Sequence, residues 1–289
     1  MNERWALLIC RIGIGQALGH NRVMSASKHS APEGGDQPEG IPAATVIIFR
    51  NGPEGEPPEI LITIRSRTMT FAGGMAVFPG GRVDPADFEL GKALSSGIDP
   101  EEAAHQIAVI RETLEETGLA VGLGGEIDAE KARAARAMLE ETKALAPVLD
   151  EFNWSLDLAQ LTPFARWFPK NENIPRVYDT RFYLADLGTG EVDVEVDQSE
   201  NTRLFWVSAQ GALDMADTGE IKLIFPTRRN LERLALFSSY EETRAHAEAT
   251  PVKTIVPQID TTGEKPMLTI MKDAGYPITA ELLESVARG

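Results

Sequence analysis

The chain has 289 residues, 43% of them apolar and 25% charged, which are ordinary globular values and leave room for a sizeable core. Its 44 acidic residues outnumber 28 basic ones, a net charge of −16 at pH 7 that argues against non-specific nucleic-acid binding. No run of eighteen apolar residues marks a membrane span, and the single cysteine, Cys10, excludes an internal disulfide and fits a reducing cytoplasm. Residues 1–40 read as a disordered extension, or as lying partly upstream of a true start at Met24. Trp5–Leu18 is apolar but broken by Arg11, Gly13 and Gly15, with no cleavage site after it, and Ser25–Gly40 is rich in Ser, Pro and Gly.

Strands follow at Ala43–Arg50 and Glu59–Arg65, joined by the acidic, Pro- and Gly-rich loop Asn51–Pro58. A third strand, Met75–Phe78, runs into Pro79-Gly80-Gly81. Helices are expected at Glu101–Thr117 and Glu126–Ala144, the first ended by Gly118, which accepts the left-handed conformation of a C-cap. Later strands are Leu161–Phe168, Arg176–Leu187 (buried on both faces) and Thr202–Val207. Helices at Ala209–Ala216 and Pro226–His246, short strands at Ile255–Ile259 and Met267–Met271, and a last helix near Ala280–Ala287 complete the chain. Strands and helices mixed without strict alternation imply an α+β fold.

The chemistry concentrates in Ile107–Leu119, IAVIRETLEETGL. Residues three and four apart on a helix are neighbours, so Glu112 shares a face with Glu115 and Glu116, and Arg111 can pair with Glu115. Glutamates at helical spacing ordinarily mark a solvated face. Against that reading stands the segment Val77–Asp87, VFPGGRVDPAD, whose glycines let backbone groups approach a ligand. Crowded carboxylates behind a glycine turn suit a hard cation, Mg²⁺ or Mn²⁺. Four histidines without paired spacing give no zinc site, and His105 reads as a surface residue.

Pro-Gly-Gly followed by Arg111, Glu112, Glu115, Glu116, Gly118 and Leu119 resembles the Nudix box, the signature of hydrolases acting on nucleoside diphosphates linked to another group. Thr113 stands where that signature has an apolar residue. The family spacing G-x5-E-x7-R departs further: Gly81-x5 arrives at Asp87 and Arg111 lies well beyond, which an insertion of about sixteen residues around Phe88–Ala103 would explain. Asp87, Glu101 or Glu102 then stands in for the family's first Glu. A second motif, Leu61–Asp87, is similar to the one that accompanies the box in Nudix enzymes cleaving coenzyme A, matching at Thr63, Arg65, Ser66, Gly74, Phe78, Pro79, Gly80, Gly81, Asp84 and Asp87.

The resemblance implies a Nudix-type α/β/α sandwich with a mixed sheet over residues 41–215. An appended C-terminal helical segment would pack on it, so that 41–289 forms one unit. It implies a small-molecule diphosphate substrate, first coenzyme A or an acyl derivative and then a nucleotide sugar or dinucleotide. No nucleic-acid or membrane partner is expected, and a homodimer is compatible with it. Glu115, Glu116, Glu112 and the Gly80 carbonyl would hold the metal; Glu112 would be the base and Arg111 would orient the carboxylates. Glu200, six before Trp206, and Asp87 are candidates for a further ligand or base. Arg65, Ser66, Gly81, Arg176 and Arg181 are candidates for substrate binding. For Arg65 a strand-end surface role stands beside that reading, and for Arg176 and Arg181 a buried strand with charged edges. A Nudix-fold sensor that binds a metabolite without turnover is the alternative from another class.

Overall fold

A computed structural model of the chain describes residues 40–66, 72–94, 97–170, 177–188 and 201–286. The extension expected at residues 1–39 lies outside them. In chain order the elements are β1 (Ile41–Arg50), β2 (Glu59–Arg65), β3 (Ala76–Val77), β4 (Gly80–Arg82), α1 (Pro85–Ala93), α2 (Pro100–Thr117), β5 (Leu123–Gly124), α3 (Ala129–Thr142), α4 (Leu145–Phe152), β6 (Ser155–Leu156), β7 (Thr162–Trp167), β8 (Tyr178–Asp186) and β9 (Asn201–Ser208). There follow α5 (Ala209–Asp217), α6 (Phe225–Leu234), α7 (Tyr240–Ala249), β10 (Thr254–Ile255), β11 (Gln258–Asp260), β12 (Met267–Thr269), β13 (Ala280–Leu282) and α8 (Leu283–Val286).

The principal sheet is mixed and runs β10-β7-β8-β1-β2-β3, with β4 paired to β1 and β9 to β2. β1 lies parallel to β8 and antiparallel to β2 and β4. Alternation along the strands sends side chains to two separate cores. Ala44, Val46, Ile48, Leu61 and Tyr183 meet Ile107, Ile110 and Leu114 of α2 on one face. Ile47, Phe49, Ile60, Ile62, Phe182 and Leu184 meet Phe225, Leu231 and Leu234 of α6 on the other. The result is an α/β/α sandwich, and β8 is buried on both faces as its sequence requires.

Helix α2 forms where the sequence places it. The Asp99 side chain accepts the N–H groups of Glu101 and Glu102 at 3.0 and 3.1 Å, Pro100 opens the first turn, and Gly118 at φ 75° ends the last. The inserted stretch is not a loop: its first half forms α1, which crosses α2 so closely that a Cβ on Gly91 would stand 2.8 Å from Pro100 O and 2.9 Å from Ala104 N. Residues 226–246 do not make one helix. Ser239 caps a new one by accepting Glu242 N–H at 3.1 Å, so α6 and α7 are separate. Ala280–Leu282 is drawn into a three-stranded sheet with β12 and β11, leaving only α8 as helix.

The C-terminal segment seals the second core around a buried guanidinium. Arg233 on α6, 1% exposed, lies over the rings of Phe164 (4.1 Å) and Tyr276 (5.3 Å) and donates to Phe164 O at 3.1 Å. Tyr276 accepts from Trp167 Nε1 at 3.0 Å and donates to Asn230 Oδ1 at 2.7 Å. Just before α6, Lys222 O accepts the N–H of Ala76 at 2.7 Å, which joins this segment to the strand that leads into the glycine turn.

Candidate active site

Two glycines let a strand and a helix meet. β4 pairs with β1 through Thr45↔Gly80 and Ala44↔Gly81. Gly80 has φ +148°, and a Cβ there would lie 2.3 Å from Ala44 O, so only glycine keeps this pairing. A Cβ on Gly81 would lie 2.3 Å from Cδ of Glu112, so the missing side chain is the space the Glu112 carboxylate occupies. Gly80 N–H donates to Glu116 Oε2 at 3.1 Å. The glycine turn therefore abuts the acidic face of α2, although Gly80 and Glu116 are 36 residues apart in sequence.

Arg111 organises that face from beneath. Its side chain is 3% exposed, and its three nitrogens reach five oxygens on four residues. Nε and Nη2 bond the buried Asp87 carboxylate, at 3.1 Å to Oδ1 and 3.0 Å to Oδ2. Nη2 also bonds Arg82 O at 2.9 Å, and Nη1 bonds Glu112 Oε1 at 2.9 Å and Glu115 Oε2 at 3.1 Å. Burial alone would lower the Arg111 pKa. The Asp87 hydrogen bond and the charges of Glu112, Asp87 and Glu115 outweigh it and raise the pKa above the usual arginine range, so the guanidinium stays charged. An arginine committed in this way holds carboxylates in place and is not directed at a substrate.

Glu112, Glu115 and Glu116 thus come together with the Gly80–Gly81 turn. In kind they suit a hard divalent cation: oxygen donors on one helix face, beside a turn whose backbone is open to approach. The side chains of Glu112 and Glu115 keep 15% and 19% exposure, so both border solvent. Among the described residues no group of three or more His, Cys, Asp or Glu is already disposed as a ligand set. The carboxylates are instead turned onto Arg111 and Gly80 N–H.

The remaining sequence candidates separate. Asp87 is 1% exposed and serves α1 as well, accepting Asp84 N–H at 2.9 Å. Glu101 and Glu102 take no part in the acidic face. Both pair with Arg181, and Glu102 also accepts from Tyr183 OH at 2.8 Å. Arg181 is thereby tied to the start of α2, ten residues or about 15 Å along the helix from Glu112. His105 is no surface residue: it is 3% exposed, edge-on to Phe88, with its pKa lowered chiefly by burial. Thr113 is fully buried, so the position that departs from the apolar pattern still faces the core. Arg65 ends β2 beside the approach to the turn, with Ser66 next in the chain; Arg65 N–H donates to Met75 O at 3.1 Å, and Arg65 Nε has no hydrogen-bond partner among the described residues. Arg176 and Glu200 lie outside the described residues. One neighbour gave no sequence signal: Arg136 of α3 donates to Glu115 O at 2.7 Å and Glu116 O at 3.4 Å.

No protein-family model matches the sequence. The chain is 26% identical over 261 residues to the acyl-coenzyme A diphosphatase NUDT19 of Gallus gallus, with 69% of each protein covered. In structure it is similar to a Nudix hydrolase from Alicyclobacillus acidocaldarius, with a TM-score of 0.61 and 25% identity, covering 72% of this chain and 96% of that one.

Proposed function

We propose that the chain is a Nudix diphosphohydrolase that cleaves the diphosphate of coenzyme A or an acyl-coenzyme A with Mg²⁺ or Mn²⁺ bound. The observation that carries this reading is the contact of the Gly80–Gly81 turn with Glu112 and Glu116, backed by Arg111. The likeness to a chicken protein named for acyl-coenzyme A hydrolysis supports the substrate class, as does the Leu61–Asp87 motif.

Glu115, Glu116, Glu112 and the Gly80 carbonyl are the groups that would hold the cation. When bound, it supplies Lewis-acid polarisation of the phosphoryl oxygens and an acidified water. The chain's own residues do the rest. Glu112, beside the turn and bordering solvent, takes the proton of the attacking water. Arg111, permanently charged and fixed by Asp87, keeps Glu112 and Glu115 in one arrangement so that little reorganisation accompanies the reaction. Addition of water across the P–O–P bond gives two phosphomonoesters: adenosine 3′,5′-bisphosphate and the phosphopantetheine arm. We assign this activity to a single unit of residues 41–289, with the C-terminal segment as part of it.

The test is turnover of a diphosphate panel containing coenzyme A, acetyl-coenzyme A, ADP-ribose, NADH and a diadenosine polyphosphate, with Mg²⁺, with Mn²⁺ and with a chelator. The expected result is metal-dependent cleavage with coenzyme A or its acyl form preferred, and loss of turnover by several orders of magnitude in Glu115→Gln and Glu116→Gln. Preference for another compound overturns the substrate assignment. Turnover that survives the chelator, or both variants, above about a tenth of wild type overturns the metal assignment, since loss of an anionic ligand should cost far more.

A further inference from the structure

An α-helix leaves its last four carbonyls without intrahelical partners, and in α2 these include the carbonyls of the two residues assigned to the metal. Leu114 O is met by the N–H of the capping Gly118 at 3.1 Å. Glu115 O and Glu116 O are met from another helix altogether, by Arg136, with Nε at 2.7 Å from the first and Nη2 at 3.4 Å from the second. A planar fork that reaches two successive carbonyls cannot be copied by a lysine, whose ammonium is a single point of charge.

Arg136 is itself held firmly. α3 begins at Asp128, whose side chain accepts Lys131 N–H at 2.8 Å. Ala135 and Leu139, on either side of Arg136 in sequence, are fully buried in the core shared with α2. The guanidinium therefore reaches the end of α2 from a rigid base, and its charge lies at the negative end of the helix dipole.

We propose that Arg136 is a positioning residue for the reaction: by clamping the carbonyls of Glu115 and Glu116 it fixes the last turn of α2, and with it the direction of their two carboxylates. The proposal rests on the reading of those carboxylates as metal ligands. Because those two carbonyls have no intrahelical partner, loss of Arg136 loosens the last turn and lets the two carboxylates shift from the arrangement in which Arg111 and Gly80 N–H meet them. A misplacement of about 1 Å at such a site costs on the order of a hundredfold in rate.

Coulomb's law gives the test its sign. Deleting a positive charge near a cation site favours cation binding by itself, whereas loss of a clamp disfavours it. Mn²⁺ binding to the full chain, followed by the paramagnetic resonance of free Mn²⁺, should weaken about tenfold in Arg136→Ala. The kcat should fall about ten- to a hundredfold with KM for the diphosphate within about twofold. Arg136→Lys, which keeps the charge but not the fork, should fall between Arg136→Ala and wild type in both measurements, and decides the matter should Arg136→Ala fail to fold. Unchanged or tighter Mn²⁺ binding with wild-type kcat in the folded variants overturns the proposal. If wild type binds no Mn²⁺, or Glu115→Gln and Glu116→Gln bind it equally, the metal reading itself has failed, and the Arg136 assignment falls with it.

Discussion

Asp87 grips Arg111 through two nitrogens, with Nε 3.1 Å from Oδ1 and Nη2 3.0 Å from Oδ2, across 24 residues of sequence and with both side chains buried. Three acids were eligible by sequence for the place before the arginine. Of these, Asp87, six residues after Gly81, is the one that meets Arg111, while Glu101 and Glu102 turn to Arg181. The shorter acid serves because α1 starts at Pro85 and presents Asp87 in its first turn.

Asp87→Ala removes one partner of a buried ion pair and leaves a guanidinium in a site built for a charge. A loss of about 3–5 kcal/mol in urea unfolding is expected, together with a fall in kcat as Arg111 no longer holds Glu112 and Glu115. Asp87→Glu should recover part of both. Stability within about 1 kcal/mol of wild type for Asp87→Ala would contradict the anchoring role, since surface pairs alone are worth that little.

The two glycines of the turn should respond in opposite ways. Alanine at Gly80 meets the backbone oxygen of Ala44 at 2.3 Å and must adopt a φ of +148°, so Gly80→Ala should destabilise the protein by at least about 2 kcal/mol. Alanine at Gly81 meets only the tip of the Glu112 side chain, which can swing away. Gly81→Ala should therefore melt near wild type but lose about a hundredfold or more in kcat. Thermal melts and steady-state rates on the two variants separate these effects.

Arg65 lies at the end of β2, on the strand that pairs with the approach to the glycine turn through Thr63↔Val77 and Ile64↔Ala76. As a substrate contact it suits the 3′-phosphate of coenzyme A. A bidentate arginine–phosphate contact contributes about 1.5–3 kcal/mol, so Arg65→Ala should lose about ten- to a hundredfold in kcat/KM on coenzyme A. Dephospho-coenzyme A should be affected far less. Equal losses on the two compounds would remove the 3′-phosphate from the account.

Glu232 on α6 provides a pH test of the C-terminal segment. Burial pushes its carboxyl up to about 6, against the pull of Arg229 and Arg228. A carboxyl raised in the folded state contributes stability that is full below its unfolded value near 4.5 and lost as pH rises through 6. A shift of this size corresponds to about 2 kcal/mol. Between pH 4.5 and 7.5 wild type should therefore lose about 2 kcal/mol relative to Glu232→Gln in urea unfolding. Parallel profiles for the two proteins would rule this out.

Helix α2 was legible because its signals are local: Pro100 and the acidic first turn at one end, Gly118 at the other, and apolar residues between them. The glycine turn was legible for the same reason. Helix α1 was not, since Phe88, Leu90 and Leu94 are only partly buried and Gly91 in its middle argues against a helix until the crossing with α2 is seen. The break between α6 and α7 depended on Ser239 capping a helix, which a continuous helical pattern hides. For Arg181 the sequence left two readings side by side, substrate binding and a buried strand with charged edges. Its acids lie 79 and 80 residues away in sequence, and no local pattern announces a partner at that range. Arg136 was silent for the same reason.

The stretch between glycine turn and acidic helix is pinned at both margins, by Asp87 on Arg111 and by Asp99 over the first N–H groups of α2. Lengthening the chain between two fixed posts costs only a logarithmic entropy and moves neither post. The reactive geometry is thus indifferent to how much polypeptide runs between them. A further segment spliced between the end of α1 and Asp99, whether a peptide tag or a small folded module, should leave catalysis unaltered, whereas a single residue added between Gly81 and Asp87 would shift the latter off its partner.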